Sequence, residues 1–126
     1  MEERLVETQR AMGLTLEREV VEHLASWYGT EAPDVLEYSA SRHLVGRLAA
    51  SSPVLGGEVA YATEHSSAVR LSDAVLRRTS LGSTGHPGRE ALTRAADIMG
   101  SSLGWTPERV AAEMALVEER YPPIAP

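Results

Sequence analysis

Apolar residues recur along this chain at the three- and four-residue spacing that places them on one face of an α-helix. Three such stripes are present: Leu16, Val20, Leu24 and Trp27; Leu92, Ala96, Met99 and Leu103; and Val110, Met114, Val117 and Tyr121. No segment alternates apolar and polar residues with a period of two over enough positions to indicate a β-strand. The pattern therefore predicts an all-α fold.

Breakers and capping residues divide the chain into six or seven predicted helices. We place them at about residues 2–12, 15–28, 30–40, 58–67, 72–79, from just after 88 to 103, and 106–121. Residues 41–57 are predicted to form a connector anchored by Leu44, Leu48 and Leu55, and a glycine-rich loop is expected before the sixth helix. Without an internal repeat, residues 1–126 are expected to form one compact, bundle-like helical domain.

The helix ends carry recognisable capping signals. Thr106-Pro107-Glu108 is the clearest start, because a capping hydroxyl is followed by a proline in the first turn and by an acid near the positive end of the helix dipole. Thr15 and Thr30 are predicted to cap two earlier helices in the same way. Gly104 is predicted to end the sixth helix in the left-handed conformation.

Size and composition exclude several classes of protein. A chain of 126 residues is long enough for one core but too short for a dinucleotide-binding fold plus a substrate domain. The net charge of −6, with no lysine, is unfavourable for binding nucleic acid. The absence of cysteine excludes thiolate zinc sites and cysteine nucleophiles and fits a cytoplasmic protein. No apolar run is long enough to span a membrane.

Three polar residues line one face of the predicted fourth helix, because Tyr61 and His65 follow Glu58 at three and seven residues. This set could perform acid–base chemistry or hold a metal ion. However, only one carboxylate and one imidazole converge, whereas protein metal sites usually have three or four ligands. We therefore interpret the set as a polar stripe along a packed helix, and we expect no catalytic residue and no metal site.

Arg77 and Arg78 could bind an anion, because each guanidinium group offers a planar fork of donors. The structural alternative is that nearby carboxylates, Glu58 among them, pair with both arginines. We favour this alternative, because a buried charge is tolerated only when it is paired. The sequence thus predicts an ion pair between Glu58 and Arg77 or Arg78. Structural or interdomain roles are assigned to four residues: Glu58, Tyr61, Arg77 and Arg78.

The remaining candidates carry weaker patterns. Gly56-Gly57 precedes a predicted helix, as in a phosphate-binding turn, but neither a preceding strand nor a dinucleotide or P-loop spacing accompanies it. His86 has no second metal ligand nearby in sequence, and the serines lack the G-x-S-x-G context of a hydrolase nucleophile. We expect four aromatic residues to serve the core and the helix caps rather than to stack on bases: Trp27, Tyr28, Trp105 and Tyr121.

Four motifs occur in an order and at a spacing found in one known family. They are Tyr28-Gly29-Thr30-Glu31-Ala32, Glu58-Val59 with Tyr61-Ala62, Asp73 with Arg77-Arg78-Thr79, and Leu103-Gly104-Trp105. Through them, residues 14–121 resemble the C-terminal helical domain of FAD-dependent (aerobic) glycerol-3-phosphate dehydrogenases and the related alpha-glycerophosphate oxidases. The chain departs from the family at Glu64, Ser66-Ser67 and Arg70, where the family often has Arg, a Glu-Met pair and Thr.

The resemblance implies that the chain is one domain of a longer oxidoreductase. In that family, the whole enzyme oxidises glycerol 3-phosphate to dihydroxyacetone phosphate and passes electrons through FAD to a quinone or oxygen. Its flavin and substrate sites lie in a separate, larger flavoprotein domain. The resemblance therefore implies a non-catalytic chain without its own cofactor that packs on this flavoprotein domain. It also implies a cytoplasmic location, with the parent able to lie on the inner face of a membrane, and leaves room for a homo-oligomer.

Two other functions stay open at this point. The chain could be a free-standing helical module that binds another protein. It could also be a helix-turn-helix regulator, although its acidity and the lack of a basic recognition helix disfavour this. An upstream reading frame that contains a strand, a G-x-G-x-x-G turn and a helix would favour the flavoenzyme, whereas a native start at Met1 would favour the free-standing module.

Overall fold

The computed structural model describes residues 2–50, 52–65, 68–79, 81 and 87–120, and the side chains of Glu2 and Arg77 fall outside this description. The helices are α1 (Glu2–Ala11), α2 (Arg18–Tyr28), α3 (Ala32–Ser41), α4 (Gly56–His65), α5 (Leu71–Asp73), α6 (Arg89–Leu103) and α7 (Pro107–Glu118). A 3-10 turn (Gly29–Glu31) joins α2 to α3, and a π-helical turn (Ala74–Arg78) continues α5. Within these residues, β-type pairing is limited to one isolated bridge between Arg47 and Leu55. The predicted all-α fold is confirmed.

Helix α4 lies at the centre of the molecule and packs on both α3 and α6. Most of its residues are buried, because neighbouring helices cover it on two sides. One buried apolar cluster belongs mainly to α1, α2 and α3: Leu5, Val20, Val21, Leu24, Ala32, Val35, Leu36 and Leu55. The other joins α4 to α5, α6 and α7 and includes Val59, Ala62, Leu71, Val75, Leu92, Ala96, Met99 and Val117. The core thus consists of two clusters that meet at α4.

The glycine pair at the start of α4 permits close packing against α3. A Cβ atom at Gly57 would lie 1.9 Å from the Oγ of Ser39 and 2.6 Å from its Cα, so a larger residue cannot fit without moving backbone. The Ser39 hydroxyl donates to the Val35 carbonyl at 2.8 Å, and this bond satisfies the buried polar group. Packing therefore explains the glycine at this position.

Two of the predicted helix ends have the expected geometry. The Oγ1 of Thr106 accepts a hydrogen bond from the Arg109 amide at 3.1 Å, and Pro107 is the first residue of α7. Gly104 ends α6 in the left-handed conformation, with φ of 72°. Both features depend on neighbours in sequence, which is why the pattern predicts them correctly.

Other predicted helix starts are wrong. Helix α2 begins at Arg18 rather than Thr15, because the backbone of Glu17 is extended, with ψ of 149°, and Glu17 takes the N-cap position. The side-chain carbonyl of Gln9 in α1 accepts the Leu16 amide of this segment at 3.2 Å. Thr30 caps no helix, because it lies inside the 3-10 turn that leads directly into α3. Helix α4 begins at Gly56, two residues before the predicted start.

Candidate functional site

Glu58 is completely buried in the first turn of α4. Its Oε2 accepts a hydrogen bond from the Leu55 amide at 2.6 Å. Leu55 directly precedes α4, and the amides at a helix start have no partner within the helix. The carboxylate therefore caps its own helix, as the glutamate of a capping box does.

The other carboxylate oxygen of Glu58 reaches across to α2. Its Oε1 lies 2.8 Å from the Nε2 of His23 and accepts a hydrogen bond from the Tyr28 hydroxyl at 2.8 Å. Burial, and then the adjacent carboxylate, raise the pKa of Tyr28 well above its ordinary value. The Tyr28 hydroxyl consequently stays protonated and donates to Glu58. We refer to Glu58, His23, Tyr28 and the Leu55 amide as the Glu58 cluster.

The sequence predicts that Glu58 pairs with Arg77 or Arg78, but the contacts observed at Glu58 come from His23 and Tyr28. Arg78 is exposed and, among the described residues, forms no ion pair with Glu58. The alternative partner, Arg77, has a side chain outside the described part of the chain. Glu58 faces α2 instead, where His23 and Tyr28 supply the polar groups that a buried carboxylate requires.

The Glu58 cluster contains an acid, an imidazole and a phenol, which are the groups used in general acid–base catalysis. Both carboxylate oxygens, however, are engaged by protein groups, and the Glu58 side chain has no exposed surface. A substrate cannot reach these oxygens without displacing α2 from α4. The geometry thus favours a structural role for Glu58, which joins the two helices.

Tyr61 and His65 lie together on α4, as their spacing predicts, but they belong to a separate aromatic cluster. Their rings stack with centroids 4.5 Å apart and an interplanar angle of 12°. The Tyr38 ring meets both edge-on, at 5.4 Å and 5.0 Å between centroids. Its hydroxyl donates to Glu64, and burial followed by this hydrogen bond raises the pKa of Tyr38 to about 12. The described residues contain no group of three metal-ligating side chains.

The Gly56-Gly57 turn does not have the geometry of a phosphate site. The Gly56 amide donates to the Gly46 carbonyl at 3.0 Å, and the Gly57 amide donates to the Leu44 carbonyl at 2.8 Å. A pyrophosphate binds at a helix start through free backbone N–H groups. Because these amides already have protein acceptors, this turn does not fit the pyrophosphate of a flavin.

A second buried carboxylate, Glu113 in α7, was missed by the sequence analysis. Its Oε1 accepts the Leu71 amide at 2.9 Å, which caps α5 from another helix. Its Oε2 accepts from Arg70 at 3.1 Å and from Arg109 at 3.0 Å. The signal that could have revealed it is its position, three residues after Val110 and four before Val117, within an apolar stripe.

The aromatic candidates occupy different environments. Trp27 is 44% exposed, so it does not serve the core as predicted. Trp105 packs partly buried against the cluster around α6, and the Arg109 guanidinium lies 5.0 Å from its ring centroid. His86 and Tyr121 lie outside the described residues. Within the described residues, no helix is long and apolar enough to cross a membrane.

Comparison with known proteins places these features in context. Residues 2–110 match the family model described as the C-terminal domain of alpha-glycerophosphate oxidase. The chain is 33% identical over 100 residues to the "Probable glycerol-3-phosphate dehydrogenase, mitochondrial" of Dictyostelium discoideum. The matched region covers 79% of this chain and 16% of that protein. The chain is also 33% identical over 105 residues to the "Glycerol-3-phosphate dehydrogenase, mitochondrial" of Mesocricetus auratus, covering 79% of this chain and 14% of that protein. No solved structure is significantly similar.

Proposed function

Because this chain belongs to the family of the C-terminal domain of alpha-glycerophosphate oxidase, we propose that it is the non-catalytic helical domain of a FAD-dependent glycerol-3-phosphate dehydrogenase. The family match over residues 2–110 is the observation that carries the proposal. In the proposed parent, a separate flavoprotein part oxidises glycerol 3-phosphate to dihydroxyacetone phosphate. The FAD and the substrate are bound there, and the electrons pass on to a quinone or to oxygen.

The geometry of the acidic residues supports a non-catalytic chain. Glu58 and Glu113 are the buried carboxylates of the described residues, and each caps a helix while binding basic or phenolic side chains. The Gly56-Gly57 turn, which could have held a phosphate, has its amides engaged by backbone carbonyls. Glu58 and the Gly56-Gly57 pair, which look chemically active in the sequence, are thus explained by packing and capping.

The coverage of the relatives supports a partner domain. The chain spans 16% and 14% of the length of the two dehydrogenases it matches, so most of each relative lies outside the similar region. We infer that the helical domain packs on the flavoprotein part of its parent and stabilises it. A cytoplasmic location and a homo-oligomeric parent stay predictions, and both relatives are named as mitochondrial proteins.

The test is expression of the full-length polypeptide of the reading frame that contains this chain. The proposal predicts a yellow protein with bound FAD that oxidises glycerol 3-phosphate in a dye-coupled assay. A reading frame without a flavoprotein part, or a full-length product that neither binds flavin nor turns over glycerol 3-phosphate, would contradict it. That result would favour a free-standing helical module that binds another protein.

A further inference from the structure

Helix α7 is attached to the rest of the molecule by a narrow strip of its surface. Of its twelve residues, Glu113 and Val117 are buried, and Val110 and Met114 pack partly buried against the apolar cluster around α6. Helix α4, by contrast, buries seven of its ten residues. Local opening of a folded protein occurs where few buried apolar contacts hold an element, and α7 fits this description.

The connection between α6 and α7 has the properties of a hinge. Gly104 ends α6 in the left-handed conformation, with φ of 72°, and its amide donates to the Gly100 carbonyl within α6. Thr106 caps α7 through the Arg109 amide. Because each helix end takes its capping contact from its own helix, rotation about the intervening backbone breaks neither cap. Helix α7 can therefore swing away as an intact helix.

Glu113 attaches α7 to α5. Its Oε1 accepts the Leu71 amide at 2.9 Å, and its Oε2 accepts from the Arg70 guanidinium at 3.1 Å. Arg70 holds the N-cap position of α5 in an extended conformation, and its side chain forms no capping bond. The first amides of a helix have no partners within that helix, so the start of α5 depends on a carboxylate that α7 supplies. We refer to these two contacts of Glu113 as the Glu113 link.

The π-helical turn after α5 is connected to the same link. The amides of Asp73 and Ala74 both donate to the Arg70 carbonyl, at 3.1 Å and 3.3 Å. Arg70 is also the residue whose guanidinium binds Glu113. The chain therefore enters the turn from a residue that α7 holds in place.

The far end of the turn is closed by Thr79, whose amide and Oγ1 both donate to the Ala74 carbonyl, at 3.0 Å and 2.8 Å. Between its two ends the turn exposes Arg78, which belongs to the third motif by which the chain resembles its family. Single π-helical turns are rare and occur frequently at functional sites. Loss of the fixed entry into this turn would change how Arg78 is displayed.

We propose that α7 is a hinged strap that controls the conformation of α5 and of the π-helical turn. With α7 docked, the Glu113 link holds both segments as observed and fixes the display of Arg78. When α7 swings away, α5 and the turn lose their order with it, while α4 and the helices α1, α2 and α3 stay folded. The three segments thus open as one cooperative unit, separate from global unfolding. This device belongs to the chain itself and does not depend on the proposed function.

Native-state amide hydrogen exchange of this chain, followed by NMR at several low urea concentrations, tests the strap. We expect three amides to share one opening with a weak dependence on urea: Leu71 in α5, Thr79 at the end of the turn and Val117 in α7. We call them the strap amides. The Thr63 amide in α4 should exchange through global unfolding with a steep dependence, because the slope increases with the surface exposed on opening.

The variant Val20→Ala separates the strap from global unfolding. It truncates a buried side chain of α2 that stays packed when α7 opens. Exchange at Thr63 should accelerate by about tenfold, because a buried side chain has been shortened. The strap amides should be unaffected, because their opening leaves this part of the core intact.

The variant Glu113→Ala removes the link itself. All three strap amides should exchange faster by about tenfold or more, because the Leu71 amide loses its buried acceptor. The matched control, Glu119→Ala, changes an exposed acid directly after α7 and should leave the strap amides unchanged.

Two results would overturn the strap. If all four amides share one urea dependence, or if Val20→Ala accelerates the strap amides as much as Thr63, α7 opens only with the whole molecule. If Val117 exchanges through a separate opening while Leu71 and Thr79 exchange together with Thr63, α7 opens alone and does not control the turn. The urea dependence of the unmodified chain decides both points, whether or not Val20→Ala folds.

Discussion

Tyr28 donates a hydrogen bond to Glu58 across 2.8 Å and thereby connects the last residue of α2 to the first turn of α4. The same carboxylate caps α4 through the Leu55 amide at 2.6 Å. One buried side chain thus caps the start of α4 and links it to His23 and Tyr28 of α2. Because the donors come from two helices and from backbone, loss of this carboxylate affects all of them together.

Replacement of Glu58 by alanine should lower the free energy of unfolding by about 3–5 kcal/mol, the range seen when one partner of a buried polar pair is removed. His23, Tyr28 and the Leu55 amide would each lose their acceptor. Glu58→Gln should retain part of the stability, because its amide keeps one acceptor oxygen. Urea unfolding followed by circular dichroism measures both.

The control for this prediction is Glu22→Ala. Glu22 lies on α2 and pairs with Arg18 across 2.8 Å, but both side chains are largely exposed. Exposed pairs four residues apart on a helix contribute only about 0.3–0.5 kcal/mol. If Glu58→Ala were no more destabilising than Glu22→Ala, the structural role assigned to the Glu58 cluster would be wrong.

Replacement of Gly57 by alanine should separate α3 from α4. The new methyl group would lie 2.2 Å from the Cβ of Ser39 and 2.6 Å from its Cα, so backbone has to move. Overpacking of this kind costs about 1–3 kcal/mol and occasionally more, and we expect the upper end here. Thermal unfolding of Gly57→Ala and Gly46→Ala makes a matched comparison, because a Cβ at Gly46 would meet nothing within 4 Å. An equal melting temperature for both variants would contradict the close helix contact.

Replacement of Glu113 by alanine should loosen α5 from α7. The Leu71 amide would lose its acceptor, and a buried unsatisfied amide costs about 1–3 kcal/mol. Arg70 and Arg109 would lose their common partner in addition. Amide hydrogen exchange should show faster exchange at Leu71, whereas the exposed control Glu119→Ala should leave it unchanged. Unaltered protection of Leu71 in Glu113→Ala would exclude the capping role.

Alkaline pH should destabilise the chain through its tyrosines. The pKa of Tyr38 is raised from 10.0 to about 12, first by burial and then by its hydrogen bond to Glu64. The folded chain thus holds this proton more tightly than the unfolded chain. The resulting stability is complete below about pH 10 and is lost as the pH rises towards 12. No lysine or cysteine titrates in this window, because the sequence contains neither.

Comparison of the wild type with Tyr38→Phe isolates this contribution. We expect the free energy of unfolding to fall less steeply above pH 10 in the variant, because Phe has no proton to lose. Urea unfolding at a series of alkaline pH values gives the two slopes. Identical slopes in the wild type and the variant would show that the Tyr38 hydroxyl titrates alike in the folded and unfolded chain.

The sequence predicts features that depend on near neighbours. The Thr106 cap acts on an amide three residues away, and the left-handed Gly104 terminates the helix that directly precedes it. Helical periodicity likewise predicts Leu92, Ala96 and Met99 as buried positions of α6, whereas it places Leu103, which is exposed, on the same stripe. The buried residues Ala91, Ala95 and Gly100 lie outside the predicted stripe. Such local signals were sufficient to predict the all-α fold, and the motifs were sufficient to predict the family.

Long-range polar contacts could not be predicted in the same way. Glu58 meets His23 and Tyr28 over separations of 35 and 30 residues, and Glu113 meets the Leu71 amide over 42. The sequence indicates that a carboxylate near apolar residues needs a partner, but it does not specify which of many donors the fold brings close. The sequence alone therefore favours Arg77 or Arg78, which belong to the next motif along the chain, over two residues of α2.

The central claim, that this chain is a non-catalytic domain of a flavoenzyme, is tested most directly by the purified chain itself. Its visible absorption spectrum is recorded with and without added FAD, followed by a dye-coupled assay with glycerol 3-phosphate. We predict no bound flavin band after removal of free FAD and no turnover, because the Gly56-Gly57 amides are already engaged and Glu58 is buried. A stoichiometric flavin band, or measurable oxidation of glycerol 3-phosphate by this chain alone, would contradict the account.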